Sequence, residues 1–158
     1  MNTAATRAVR PATPDDADTL ARFRWVFRAH QDPPTESERD FHARCVAWMR
    51  PRLRADSRWR VWILEHDGTP VGNLWVQIVE KIPNPANESE LHAYVSNFFV
   101  LAEHRNMGGG KLLLDAATAE CRAFHVDTMF LWPSDESRPL YAREGFVAPD
   151  RVLVKPLR

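Results

Sequence analysis

From Thr6 to Arg10 apolar and polar residues alternate, the period of a strand. Thr13-Pro14-Asp15-Asp16 then reads as a helix start, with Thr13 as N-cap, Pro14 at the first helical position and acids in the first turn. Leu20, Phe23 and Phe27 follow at helical spacing. A second helix is expected from the capping-box pattern Thr35 to Glu38, with Phe41, Cys45, Trp48 and Met49 on one face and Pro51 kinking or dividing it. Two strand-like runs flank Asp67-Gly68, the clearest hairpin signal in the chain. The segment IPNPANESE reads as a loop and LHAYVSNFFVL as a strand. Lys111 to Phe124 has the apolar period of a helix. VDTMFLW reads as a strand, SDESRPLYAREG as a short helix closed by Gly145, and FVAPDRVLVKPL as a final strand. The expected order, β-α-α-β-β-β-α-β-α-β, is a mixed α/β fold with an antiparallel hairpin and at least one crossover helix.

Composition narrows the function classes. The 158 residues fit one domain, with 44% hydrophobic residues to form its core. We therefore expect a single domain over 1–158, with a core of about 6–156. Lysine plus arginine equal aspartate plus glutamate, 21 of each, so no net charge favours nucleic acid or an anionic membrane. No apolar run approaches the ~18 residues of a membrane span, and the N-terminus lacks a signal-peptide core, so a cytoplasmic location is expected. Cys45 and Cys121 are far apart and lack Cys or His neighbours at metal-ligand spacing, which reads as two reduced thiols and no metal. The basic run Arg50, Arg52, Arg54, Arg58 and Arg60 reads as a solvated face, and most of the six tryptophans as core.

The chemistry concentrates in Glu103 to Leu114, EHRNMGGGKLLL. Glycines ahead of a helix let a backbone approach a phosphate at the helix N-terminus. A P-loop does not fit: Arg105 stands where the first glycine belongs, and Leu112 offers no hydroxyl for magnesium. A dinucleotide fingerprint does not fit either, because Leu113 occupies the third glycine position. Arg105 to Gly110 instead reads R-x-x-G-x-G between a strand and an apolar helix, a row of unpaired N–H groups at a helix N-terminus.

This motif, followed about thirty residues later by Leu140-Tyr141-Ala142-Arg143-Glu144-Gly145-Phe146, resembles the GNAT (Gcn5-related) N-acetyltransferases, over nearly the whole chain. The resemblance implies a GNAT-type fold in which the fourth and fifth strands run parallel and splay apart around acetyl-CoA, the co-substrate. It puts Phe99, Val100 and Leu101 beside the pantetheine arm, and Arg105, Asn106, Met107, Gly108, Gly109, Gly110 and Lys111 around the pyrophosphate. Ser134, Ser137 and Arg138 fall where relatives contact the cofactor. Tyr141 matches the general acid that protonates the leaving thiolate, and a backbone N–H near Val100 the oxyanion donor.

Two positions depart from the family pattern. Ser96 and Asn97 stand where several members carry a catalytic carboxylate, so His92, Glu90 or Glu80 becomes a candidate base, or none is needed if the amine arrives neutral. Gly109 replaces an apolar residue that packs under the loop in many members, which predicts lost packing and a more mobile loop. Trp25 and Trp48 lie on the two helices that help form the acceptor pocket in the family, and acids of the 82–90 loop are expected to attract a cationic amine. The expected activity is direct transfer of acetyl to a small-molecule primary amine. The alternatives are a protein or peptide acceptor, and a catalytically silent acyl-CoA-binding module. Dimers are common in the family, so a homodimer is among the expected assemblies.

Overall fold

The computed structural model describes residues 6–86 and 88–157. Five strands form one sheet in chain order: β1 (Arg7–Pro11), β2 (Trp59–His66), β3 (Thr69–Glu80), β4 (Leu91–Val100) and β5 (Thr128–Phe130). The first three pairings are antiparallel, and β4 with β5 is parallel. Helices α1 (Ala17–Arg28) and α2 (Glu38–Arg52) cover one face. On the other face lie α3 (Gly109–Ala123), which is the crossover between the parallel strands, and α4 (Arg138–Arg143). The sheet is thus the middle of three layers. Its central strands are buried on both faces, which explains unbroken apolar runs such as Val61–Leu64. Among the described residues no helix is long and apolar enough to cross a membrane.

Local signals act as expected at several places. The two-residue turn Asp67-Gly68 has φ of +49° and +76°, the left-handed pair that matches the twist of a hairpin. The Thr13 N–H donates to the Asp16 carboxylate at 2.8 Å, and a single 3₁₀ turn, Pro14–Asp16, leads into α1.

Other expectations are corrected. The N-cap of α2 is Ser37, whose Oγ accepts from the Asp40 N–H at 3.1 Å, rather than Thr35. Pro51 neither kinks off nor divides α2, because it sits in the last turn, where little helix remains to be interrupted. β5 is three residues long instead of the seven of VDTMFLW. Residues 146–157 form no strand, and Val152, Leu153, Val154 and Leu157 are exposed. Alternating apolar residues become a strand only against a partner edge. The edge of β5 is short, and Pro149 and Pro156 lack N–H donors.

Candidate functional site

The pairing of β4 with β5 covers only His92↔Thr128, Ala93↔Met129 and Tyr94↔Phe130. Beyond Tyr94 the strands part, while β4 continues along β3 to Val100. The edge of β4 from Val95 onward therefore faces a gap. Orientation of the backbone there follows from one bond: the Leu101 N–H donates to the Val71 carbonyl at 2.9 Å. Antiparallel ladders alternate, so the N–H and C=O of Val100, one residue earlier, point away from β3 and into the gap. Arg105 Nε occupies the Val100 carbonyl at 2.9 Å. The Val100 N–H is left facing the opening.

A loop leads from β4 to α3 at the same end of the gap. Its backbone takes left-handed conformations at Asn106 (φ +58°) and at Gly108 (φ +82°), the N-cap of α3. None of the N–H groups of Asn106 to Lys111 donates to a backbone carbonyl among the described residues. They are free donors at the positive end of a fifteen-residue helix. Met107 is exposed beside it.

The three glycines differ. A Cβ on Gly108 would meet nothing within 4 Å, one on Gly109 would lie 2.4 Å from Leu64 Cδ2, and one on Gly110 would lie 3.1 Å from Phe98 Cζ. Gly109 is therefore pressed onto buried Leu64 of β2, so the expected loss of packing is corrected: its missing side chain is what lets α3 approach the sheet.

The two cations of the motif differ: Lys111 is paired with carboxylates, whereas Arg105 has no carboxylate partner among the described residues. Lys111 Nζ contacts both carboxylate oxygens of Asp115 at 2.9 Å and reaches Glu144 at 3.4 Å; the Asp115 bond raises its pKa. The backbone N–H groups of the loop and the terminal nitrogens of Arg105 are its free donors among the described residues.

Tyr141, on α4, is 9% exposed and stands against Phe98 and Phe146, with ring centroids 6.0 and 5.4 Å away. Its hydroxyl makes no hydrogen bond among the described residues. Burial pushes the phenol up to about 12, so it is neutral near pH 7. Ser134 and Ser137 close the turn before α4, where Ser137 Oγ donates to the Ser134 carbonyl at 2.9 Å; Arg138 pairs with Asp135 at 3.2 Å.

His92 is not brought to this place. It lies five positions before Asn97 on β4, roughly 17 Å along a strand, with Nε2 3.3 Å from Asp127. Glu80, paired with Arg58 at 2.5 Å, and exposed Glu90 share that far end. Of the acids of the 82–90 loop, Glu88 is paired with Lys81 at 3.4 Å, whereas Glu90 has no ion pair among the described residues. Trp25 packs on Phe41 with centroids 5.5 Å apart, whereas Trp48 is half exposed and edges a cluster with Trp59 and Trp75.

Two residues at the parting were missed by sequence reasoning. The register between β3 and β4 slips between Asn73 and Trp75, because β4 carries an extra residue there and Asn97 adopts φ +47°. Asn73 is fully buried, and its Nδ2 donates to the Asn97 carbonyl at 2.6 Å, bracing this bulge. A lone asparagine in the apolar run VGNLWV was the available signal. Arg24 NH1 donates to Asn97 Oδ1 at 3.2 Å; on the helical pattern it looked like any polar-face residue.

The molecule was compared with known proteins. The Acetyltransferase (GNAT) family model matches residues 20–146. A GCN5-related N-acetyltransferase structure from Ralstonia eutropha JMP134 is 26% identical, with TM-score 0.77 over 96% of this chain and 99% of its own. A structure described as a predicted acetyltransferase from Clostridium acetobutylicum, solved with acetyl-CoA, is 20% identical, with TM-score 0.79 over 96% and 97%. An aminoglycoside N-acetyltransferase in complex with CoA is 20% identical, with TM-score 0.73 over 100% and 99%. No curated protein matches the chain.

Proposed function

This chain belongs to the acetyltransferase (GNAT) family, and from that premise we propose that it acetylates the primary amine of a small molecule at the parting of β4 and β5. The observation that carries the reading is the coincidence of three features at one gap. They are an unpaired strand edge with the Val100 N–H turned into it, a helix N-terminus with free N–H groups, and a neutral buried phenol. A side chain at Gly108 would project into open space, so the loop has room for a ligand against its backbone.

Acetyl-CoA supplies the acetyl group, activated as a thioester. The N–H groups of Gly108 to Lys111 bind its pyrophosphate. The edge of β4 at Phe99 to Leu101 aligns the pantetheine arm as an added strand would be aligned. The Val100 N–H polarises the thioester carbonyl for attack by the amine. Tyr141 gives its proton to the thiolate as the carbon–sulfur bond breaks, and the proton shed by the attacking nitrogen restores the phenol through solvent. No carboxylate stands on β4 between Val95 and Val100, so the amine enters neutral without a dedicated base. A small acceptor is favoured by the likeness to an aminoglycoside N-acetyltransferase and by α1, which closes over this end of β4 through Phe23 and Phe27 against Phe99.

The test is release of free thiol from acetyl-CoA with small amines, polyamines and peptides as acceptors. Turnover of small amines is expected. Turnover confined to peptides would replace the small-molecule reading, and binding of CoA without turnover of any acceptor would favour a silent module.

A further inference from the structure

β4 separates two surroundings. Tyr141 lies on the α3/α4 side, and Arg24 reaches Asn97 from the α1/α2 side. The acceptor therefore has its own face, and Arg24 is its charged feature. Of the other half-buried cations, Arg10, Arg60 and Lys81 have carboxylates, Asp16 at 2.8 Å, Glu120 at 3.7 Å and Asp127 at 2.5 Å respectively, whereas Arg7 bonds Met107 Sδ at 3.1 Å and Arg52 bonds the Trp48 carbonyl at 2.8 Å and stacks on the Trp48 ring. Arg24 has no carboxylate among the described residues. Its guanidinium makes one hydrogen bond, to Asn97, and rests 5.9 Å from the centroid of Phe27. The charges and titratable groups around it are Arg28, which repels it, and the uncharged Cys45 and Tyr94. Burial lowers its pKa, yet arginine stays charged. A half-desolvated guanidinium with most of its planar donors unfilled is suited to an oxyanion that binds in the fork.

We infer that Arg24 is the specificity-determining residue of the acceptor site and that the acceptor carries an oxyanion, carboxylate or phosphate, several bonds from its amine. This inference rests on the acetyl-transfer reading of the same site.

The experiment compares matched acceptors: 4-aminobutyrate against 4-aminobutyramide, and 3-aminopropyl phosphate against 3-aminopropanol. The anionic member is expected to have at least tenfold higher kcat/KM, and the better of the two pairs identifies carboxylate or phosphate. Arg24→Gln should collapse that ratio at least tenfold, mainly through KM, and Arg24→Lys should restore part of it. Arg22→Gln, exposed on the same helix, should leave the ratio alone. A wild-type ratio near one, or a ratio unchanged in Arg24→Gln, overturns the inference. A second readout needs no turnover: CoA-saturated protein should gain thermal stability from 3-aminopropyl phosphate or 4-aminobutyrate, and Arg24→Gln should lose that gain. No gain in the wild type overturns the inference. Stabilisation by CoA itself separates the two failures. If CoA stabilises both proteins without an anion effect, only the role of Arg24 falls; if CoA does not bind, the acetyl-transfer reading falls with it.

Discussion

At Gly108 the backbone turns left-handed, which strains an aspartate by about 1–2 kcal/mol, but no atom lies where its side chain would project. Gly108→Asp is expected to fold, to place a carboxylate against the free N–H groups, and to abolish stabilisation by CoA. An undiminished thermal shift would move the phosphate site away from this loop. Gly109 makes a different claim. A methyl group there must displace buried Leu64, and overpacking of this kind costs about 1–3 kcal/mol. Chemical denaturation of Gly109→Ala should show that loss, and combination with Leu64→Val should recover part of it. Independent additive effects would contradict the close contact. For Tyr141, removal of the hydroxyl in Tyr141→Phe should lower kcat about 10²-fold or more while CoA affinity holds. A general acid must be protonated, and burial raises this phenol to about 12. The rate should therefore keep rising through about pH 10 as the primary amine deprotonates, with no loss from the phenol over that range; a fall centred near or below that pH would point to another acid.

At the scale of elements, the parting of β4 and β5 depends on the bulge that Asn73 braces. Asn73→Ala leaves the Asn97 carbonyl unpaired in the interior, which costs about 1–3 kcal/mol. It should also lower kcat, since the bulge sets the position of Val100. A stability loss with full activity would make the brace purely structural. The entry to α1 carries a pH signature. The hydrogen bond from Arg10 holds the Asp16 carboxyl below its usual range. A depressed pKa means that this contribution is complete above the ordinary carboxylate range and disappears as pH falls through the depressed value. Arg10 is 37% exposed, so solvent limits the effect to about 1 kcal/mol. Asp16→Asn should remove that part of the acid dependence and leave the rest.

For the molecule as a whole, binding at the gap should stabilise the native state. CoA at a hundredfold excess over Kd adds about 2.7 kcal/mol, on the order of 5–10 °C in Tm for a chain of this size. The sheet lies between two helical layers, so a ligand bound where β4 and β5 part would join α3, α4 and β4. Absence of any shift in differential scanning fluorimetry would remove the cofactor from this site.

The sequence by itself determined what neighbouring residues encode. The Asp67-Gly68 hairpin, the periods of α1 and α3 and the spacing of R-x-x-G-x-G before Tyr141 are local patterns, because φ/ψ preference and periodicity belong to short stretches of chain. They carried the family and the order of elements through α4. Tertiary structure decided what depends on partners distant in the chain. It shortened β5 and left 146–157 unpaired, because a strand needs an edge. It gave Gly109 its reason through Leu64, 45 positions earlier. It also joined Arg24 and Asn73 to Asn97. Contacts of that kind arise from packing three layers together, and no local window of residues contains both members of the pair.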